Sequence, residues 1–542
     1  MNQRTYDELL TNITFDGDDI TKKLLSMDDD VMDTIIDQVE NDLTRVLPTL
    51  TENVYGFGKQ VARLANLAKI AHDLQLTLVS STNATVTKND QRLAKLMSLS
   101  TQSAGLLHRF LTAFLNNKSS DNLVYDANFG GIITRNGLLN MQEDFGNGWY
   151  NDHHFHYGYI LYASAIMAKI NSTFVDEYGI YVDSILNDVA HESNQNSDSI
   201  QGSFFPFTRH KAWYDGHSYA SGLFPFADGK SQESSSESVN CYYGAYLWSL
   251  VSAERKLAMN TGVNSNYDRL IRRTNFMKLL LAMEIRSTKT YWHMIPPSET
   301  KGMGSNHTIH PYNPSFEQSL MVGNLGMMDV TVSTWFGPEK LYVHMINFLP
   351  VTAITRELFD PDYVKLEFDH VLDPIYDNVE MAWKGYVIAD KAIIDSSSAW
   401  DDATKLTSYE LDSALSQSQV YYWISTMDGF EAPTSKKSSP TSGLNITVGA
   451  NEASSCMSHT ACSSAGLSGE CCPTATGIML GCCDEVASPG KGNTISQSSS
   501  SSSSSSDGDD ASCGQHQACT SAGLTGVCCP TEDGIMLGCC SS

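Results

Sequence analysis

Between about Val61 and residue 426, apolar side chains recur every three or four positions, a spacing that lines one face of an α-helix and does not suit a half-buried strand. Val61, Leu64, Leu67, Ala68, Ala71 and Leu74 form one such stripe, and Leu106, Leu107, Phe110, Leu111 and Phe114 form another. Further helices are expected at 158–170, 174–190, 237–258 and 267–285, with shorter ones near 354–366, 379–393 and 408–426. Alternating strand patterns are scarce. Striped helices bury their apolar faces against one another, so the chain is expected to build one large all-α domain over 41–428, with long Gly- and aromatic-rich loops forming its functional surface.

Outside that span the composition changes. Residues 1–40 are acidic and weakly patterned, with Asp28-Asp29-Asp30, and read as a connector left from a longer N-terminal region. After Met427, Ser, Thr, Pro, Gly and Lys become dominant, so 429–455 reads as a linker. Residues 456–483 and 513–540 then repeat the spacing C-x5-C-x8-CC-x9-CC, together with the words SAGL, CCPT and GIMLGCC, which marks a tandem duplication. Each unit is too short to bury a sufficient core, and three disulfides apiece are expected to stabilise it by restricting the unfolded chain. Six cysteines allow fifteen pairings, so connectivity stays open. The intervening 484–512 contains a serine run and reads as a flexible spacer.

Twelve of the thirteen cysteines lie in these two units, a density typical of oxidising compartments. Sequons at Asn12, Asn83, Asn117, Asn171, Asn306 and Asn445 are compatible with export, but no more numerous than chance in so Asn-, Ser- and Thr-rich a chain. The first residues lack the basic start and apolar stretch of a signal peptide. The reading that reconciles these signs is an incomplete N-terminus on an exported protein, extracellular or held in a cell wall. A cytosolic chain with reduced tails is the alternative. With 62 Asp+Glu against 35 Lys+Arg the formal charge is −27, and without a basic stripe to offset it no nucleic acid is expected as a partner. No run of about 18 apolar residues exists to form a spanning helix, so no membrane is expected either. The chain is read as a monomer.

The segment most suggestive of chemistry is Trp149-Tyr150-Asn151-Asp152-His153-His154-Phe155-His156-Tyr157-Gly158-Tyr159. It is too polar for a core strand and too aromatic for an ordinary loop, and it suits a surface that grips a flat, uncharged ligand, with Asp152 at its chemical centre. Two other chemistries fit less well. His153, His154 and His156 with Asp152 resemble a metal set, but the spacings i, i+1 and i+3 do not put three imidazoles on one helix face. No C-x-x-C or H-E-x-x-H accompanies them in this region, so neither metal nor cofactor is expected. Gly216-His217-Ser218-Tyr219-Ala220 falls one residue short of a nucleophile elbow, and no apolar strand leads into it.

A second acidic stretch, Gln232-Glu233-Ser234-Ser235-Ser236-Glu237-Ser238-Val239-Asn240, heads into an apolar run. If it opens a helix, Glu233 and Glu237 share one face, where their repulsion of roughly 0.2–0.5 kcal/mol is partly offset by the helix dipole. One reading is a capping serine followed by solvated acids. The other joins these acids to Asp152, because glycoside hydrolysis needs one protonated carboxyl to donate to the leaving oxygen and one ionised carboxylate to activate water. Trp149, Tyr150, Phe155, Tyr157 and Tyr159 would then stack on sugar faces, while Asn151, His154 and His156 bond hydroxyls.

Three ordered segments sharpen that reading. Asn147 to Tyr159, then Trp213-Tyr214-Asp215-Gly216-His217-Ser218-Tyr219-Ala220-Ser221-Gly222, then Gln232 to Asn240, resemble glycoside hydrolase family 81 in content and order. Tyr55-Gly56-Phe57-Gly58-Lys59, Val124-Tyr125-Asp126 and Tyr421-Tyr422-Trp423-Ile424 are similar too, so the likeness covers about 45–426. The family consists of endo-β-1,3-glucanases that invert the anomeric centre. The resemblance implies an (α/α)6 barrel with a long cleft for β-1,3-glucan. It implies Asp152 as general acid, Glu233 as general base and Glu237 as an acidic partner that orients water or base, with Tyr214, His217 and Asn240 among the substrate contacts. Spacing alone leaves open which glutamate acts. Family members carry a β-sandwich and a small connecting domain before the barrel, whereas this chain enters the helices almost directly, and Tyr219 stands where Trp is common. A non-catalytic glucan-binding or cell-wall structural protein with a truncated barrel is the alternative function.

Overall fold

The helical stripes fold into long helices that pack largely in chain order. The computed structural model describes residues 14–15, 20–45, 47–80, 86–191, 204–223, 229–259, 264–300 and 309–432, all within the compact unit that ends at Thr434. Helices α1 (Ile20–Leu25), α2 (Asp29–Arg45), α3 (Val54–Ser80) and α4 (Val86–Leu115) precede a hairpin of β1 (Leu123–Asp126) and β2 (Gly131–Thr134) and the short α5 (Arg135–Leu139). A 3-10 segment, Glu143–Trp149, leads into α6 (His153–Ile170) and α7 (Thr173–Val189). Strand β3 (Ser231–Gln232) opens onto α8 (Ser235–Met259), α9 (Asn264–Tyr291) and α10 (Pro314–Glu317), and it pairs with β4 (Asn324–Gly326), which pairs in turn with β5 (Val330–Thr331). Shorter helices follow: α11 (Lys340–Ile346), α12 (Thr355–Leu358), α13 (Pro361–Glu367), α14 (Met381–Lys391), α15 (Ser396–Ala403) and α16 (Gln417–Ser425).

Helices α6 and α8 form the centre. Every residue from His153 to Ala168 is buried, as are Ser235 to Ser249, which fits helices enclosed on all sides rather than striped. Helix α3 packs on α4 and α6, and α9 packs on α8. The α6–α8 crossing is close enough to require glycine: a Cβ on Gly158 would lie 2.8 Å from Cys241 Cα, and one on Gly244 would lie 2.7 Å from the Tyr162 nitrogen. Gly158 therefore faces Cys241 while Tyr162 faces Gly244, so the two helices advance together and run parallel. Their N-termini, and the acidic segments that precede or open them, lie at the same end of the molecule.

Two expectations are corrected. The described part of 1–40 is no connector, because α1 and α2 insert Ile20, Leu24, Val31, Ile35, Ile36 and Val39 into the core. Their acidic residues obscure a regular apolar stripe, and Asp29 and Asp33 face Arg92 of α4. The helix expected near 354–366 is two helices, α12 and α13, divided at Asp360-Pro361, where the proline occupies the first turn of α13 and Asp360 caps it. Cys241 is a buried free thiol. The cysteine units 456–483 and 513–540, the spacer 484–512 and most of the linker 429–455 lie outside the described residues.

Candidate active site

Asp152 immediately precedes α6 in a left-handed conformation (φ 58°), and its carboxylate is not spent on capping the helix. Asp144, Phe145 and Tyr150 also have positive φ, of 50°, 55° and 65°. Such residues cost roughly 1–3 kcal/mol each and persist where the surroundings over-determine them, often at functional sites. Here the surroundings are the other two motifs. The Asp152 N–H donates to the Ala220 carbonyl at 2.9 Å, the Gly222 N–H to Asn151 Oδ1 at 2.7 Å and the Leu223 N–H to the Trp149 carbonyl at 2.8 Å. Ala220 in turn donates to the Ser231 carbonyl at 2.9 Å. The three sequence motifs are thus laced edge to edge.

Glu233 bridges β3 and α8. Its Oε1 accepts the Trp335 N–H at 2.6 Å, which ties it to the segment after β5. Glu237, in the first turn of α8, is buried, and its Oε1 accepts the hydroxyls of Tyr159 at 2.7 Å and Tyr55 at 3.0 Å. The serines between them are not solvated caps. Ser234 and Ser236 donate to the Ile346 carbonyl, and Ser235 binds Asn347 Oδ1 at 2.8 Å, bolting the start of α8 to the end of α11.

Each carboxyl has a different proton affinity. Burial, then the charges of Glu233, Glu237 and Asp144, hold the Asp152 carboxyl well above its ordinary range. Burial lifts Glu233 to about 7, against the Trp335 N–H that favours its ionised form and with the charge of Glu237 adding to the rise. Glu237 is raised by burial and restrained by Lys59 and by hydroxyls including those of Tyr159 and Tyr55. Carboxyls with different environments at one site are the ingredients of acid–base chemistry.

The remaining expected residues divide by position. Trp149 and Asn151 are half-buried beside Asp152, and Tyr214 is 99 % exposed. His217 lines a cavity of about 410 Å³ together with Asp215, Tyr219, Tyr291, Tyr312 and Met327. Tyr150, His154, His156, Tyr159 and Asn240 are buried, and each meets neighbouring protein groups. Tyr150 bonds Asp126 and lies under the Arg209 guanidinium. His154 pairs with Tyr242, Tyr159 holds Glu237, and Asn240 accepts from Thr352. Burial lowers His154 and His156 to about 4, so both are neutral near pH 7. His153 binds Asp188 and the Asn147 carbonyl. Among the described residues no cluster of three His, Cys, Asp or Glu is arranged for a metal ion, and Ser218 is buried against Tyr242 and Glu284 rather than a histidine.

Several site groups escaped the sequence reading as individual residues. Tyr55 meets Glu237. Asp144 accepts the Val54 N–H at 3.2 Å. Phe145 and Trp335 are exposed aromatics near the carboxyls, with Phe145 edge-on to Tyr55 at 5.4 Å and the Trp335 N–H on Glu233, while the exposed Phe336 packs against Tyr342 and Trp383. Only the Tyr55 segment carried a signal, through its place in the family pattern.

Residues 26–424 match the model of the glycosyl hydrolase family 81 C-terminal domain. The chain belongs to family 81. A glucan endo-1,3-beta-D-glucosidase 2 of Saccharomyces cerevisiae is 30 % identical over 296 residues, which are 53 % of this chain and 33 % of that protein. A glucan endo-1,3-beta-D-glucosidase of Glycine max is 29 % identical over 387 residues, 69 % of this chain and 49 % of the relative. A primary septum glucan endo-1,3-beta-D-glucosidase of Schizosaccharomyces pombe is 27 % identical, covering 53 % of this chain and 25 % of its own length. The chain therefore spans between a quarter and about half the length of these curated relatives. In fold it is similar to a family 81 glycoside hydrolase from Clostridium thermocellum, with a TM-score of 0.51 and 21 % identity, covering 76 % of this chain and 48 % of that structure.

Proposed function

We propose that this family 81 chain is an endo-acting hydrolase of β-1,3-glucan that inverts the anomeric centre. The observation that carries the proposal is the lacing of Asp152 to the segments that carry Ser218 to Leu223 and Glu233, with the acids in different environments. Burial and the neighbouring acids hold Asp152 well above its ordinary range, and burial lifts Glu233 to about 7. Asp152 donates its proton to the leaving glycosidic oxygen. Glu233, less buried than Glu237 and held by one backbone N–H, removes a proton from water attacking the opposite face of the sugar. Glu237, fixed by two tyrosine hydroxyls, supports Glu233 and the water rather than reacting itself. Inversion calls for the reacting carboxyl groups to stand about 6.5–9.5 Å apart, leaving room for water.

In this reading the helices close as an (α/α)6 barrel, supported by the likeness to the Clostridium thermocellum fold. The half-buried Trp149 and Asn151, the exposed Phe145 and Trp335, and the cavity at His217 line the path of a neutral glucan. In this reading the protein works as an extracellular or wall-held monomer. Relatives named as glucan endo-1,3-glucosidases, one of the primary septum, support the β-1,3-glucan substrate and the wall setting. Proton NMR of products released from laminarin tests the activity. The α-anomer as first product supports inversion, and the β-anomer would overturn it. Asp152→Asn and Glu233→Gln are each expected to abolish turnover in a folded protein, and near-wild-type hydrolysis by either would overturn the assignment. A folded wild-type chain that binds laminarin without releasing reducing ends would instead support the non-catalytic glucan-binding reading.

A further inference from the structure

Glu284, on α9, is a buried acid that the reaction itself does not use. Its Oε2 pairs with Lys211 Nζ at 2.6 Å, and both side chains are sealed from solvent. Lys211 also donates to the Gly216 carbonyl at 2.7 Å. The other oxygen of Glu284, Oε1, accepts the Ser218 N–H at 3.0 Å and the Ser238 hydroxyl of α8 at 2.6 Å. The pair therefore fastens the turn from Lys211 to Ser218 onto two helices. Because desolvation offsets the attraction between buried ions, such a pair is a weak source of net stability. Its effect is better sought in what it holds.

What it holds is a three-residue segment that joins the two reacting acids. The Ser218 carbonyl accepts Gln232 Nε2 at 2.7 Å, and Gln232, itself buried, is the residue before Glu233. Two positions further on, the Ala220 N–H donates to the Ser231 carbonyl at 2.9 Å, and the Ala220 carbonyl accepts the Asp152 N–H at 2.9 Å. Residues 218–220 thus touch Asp152 through one bond and the two residues before Glu233 through two. The Ser218 N–H, which meets neither acid, goes to Glu284, so the segment is located from α9.

Resting on the assignment of Asp152 as general acid and Glu233 as general base, we propose that Glu284 is a positioning residue for the reaction. By accepting the Ser218 N–H it fixes residues 218–220, and through them the separation of the two reacting carboxyls. Lys211 holds Glu284 in place and balances its charge. The bonds run to the acid and the base and not to the sugar, so the effect falls on turnover rather than on substrate binding. A misplacement of about 1 Å in such a constellation costs about a hundredfold in rate.

The test separates the hydrogen bond from the ion pair in the full chain. K211M/E284Q removes both charges and keeps an oxygen for the Ser218 N–H, whereas K211M/E284M removes both charges and the oxygen. Removing both partners avoids the stranded charge that a single substitution would leave, and loss of the Lys211 bond to Gly216 is common to the two. On laminarin, kcat of K211M/E284M is expected to lie about a hundredfold below that of K211M/E284Q, with KM little different. Equal kcat in the two folded proteins, or a difference confined to KM, would overturn the proposal. If K211M/E284M fails to fold by circular dichroism, Q232M breaks the segment's other tie, at the Ser218 carbonyl. A fall in kcat with KM little changed is expected there, and wild-type kcat would overturn the proposal. D152N and E233Q are measured alongside. Activity in either would overturn the acid–base assignment itself, whereas inactivity in both with equal kcat in the two Lys211–Glu284 variants overturns only the role given to Glu284.

Discussion

The hydroxyl of Tyr159, on α6, donates to the Glu237 carboxylate, on α8, across 2.7 Å of buried space. Together with Tyr55 from α3, it draws three helices onto one acid that has little contact with solvent. A hydrogen bond to a charged group contributes about 1.5–3 kcal/mol, and 1.4 kcal/mol is a factor of ten. Tyr159→Phe keeps the ring packing and removes the donor. Steady-state kinetics on laminarin are expected to show kcat lowered about tenfold or more with KM little changed, since the lost contact orients a reacting assembly rather than the sugar.

The charge of Glu237 also acts on Glu233. Burial first, then that charge, carries Glu233 to about 7, so the acid limb of activity is expected to have its midpoint near pH 7. Glu237→Gln removes the neighbouring charge, favours the ionised form of Glu233 and moves that midpoint to lower pH. Residual activity of the variant, followed between pH 4 and pH 8, provides the measurement. A midpoint that stays or rises would contradict the coupling.

How much of this was legible without coordinates depends on whether a residue acts through local pattern or through distant contact. The spans of α7 and α8, expected at 174–190 and 237–258, fold at 173–189 and 235–259, because apolar spacing dictates both. The start of α6 was not expected at His153, since three histidines in four residues do not look like core. They become core because Asp188, Tyr242 and Asn147 meet their ring nitrogens. Asp152, Glu233 and Glu237 stood out as acids in unusual company. Asp144 did not, because its meaning comes from Val54, 90 positions away. The exposed faces of Phe145 and Trp335 are equally invisible to composition, which predicts burial for such rings.

Gly222 offers a steric test of the lacing around Asp152. A Cβ at that position would lie 1.9 Å from the Trp149 carbonyl oxygen and 2.6 Å from the Tyr150 carbonyl carbon, both backbone atoms that no side-chain rotation can relieve. Gly222→Ala is therefore expected to push 220–223 off 149–152 and displace Asp152, lowering kcat by at least a hundredfold. The readouts are kcat on laminarin and thermal unfolding. Wild-type kinetics would show that the lacing does not position the acid.

On the acid side, stability depends on Asp188. Against the cost of burial, Arg209 and His153 hold its carboxyl at about 2, with Arg209 at 2.9 Å. A depressed carboxyl contributes stability that is present above its unfolded value near 4 and lost as the pH falls from there toward about 2. Asp188→Asn leaves Arg209 buried without its charge partner and is expected to cost about 3–5 kcal/mol at pH 7. Chemical denaturation at pH 7 and pH 3 measures both effects, and the gap between wild type and variant should narrow at pH 3.

The opposite sign holds at Glu367 and Asp390. Glu367, at the end of α13, bonds His344 of α11 through Oε1, while its Oε2 and both oxygens of Asp390 on α14 are buried without hydrogen-bond partners among the described residues. Burial raises both acids well above their ordinary values, and for Asp390 the charge of Glu367 adds to the rise. Burial also lowers His344 to about 3, so no imidazolium compensates near neutral pH. A raised carboxyl contributes stability that is fully present below its unfolded value near 4 and lost as the pH climbs through its folded value. Wild-type protein should therefore lose stability with rising pH through the neutral and alkaline range. Asp390→Asn keeps the shape, removes one ionisation and should flatten that decline, with a gain of about 1–3 kcal/mol at pH 9 and little change at pH 5. Denaturation midpoints at the two pH values decide the matter: a variant that is no more stable than wild type at pH 9 would mean that Asp390 ionises there at no cost.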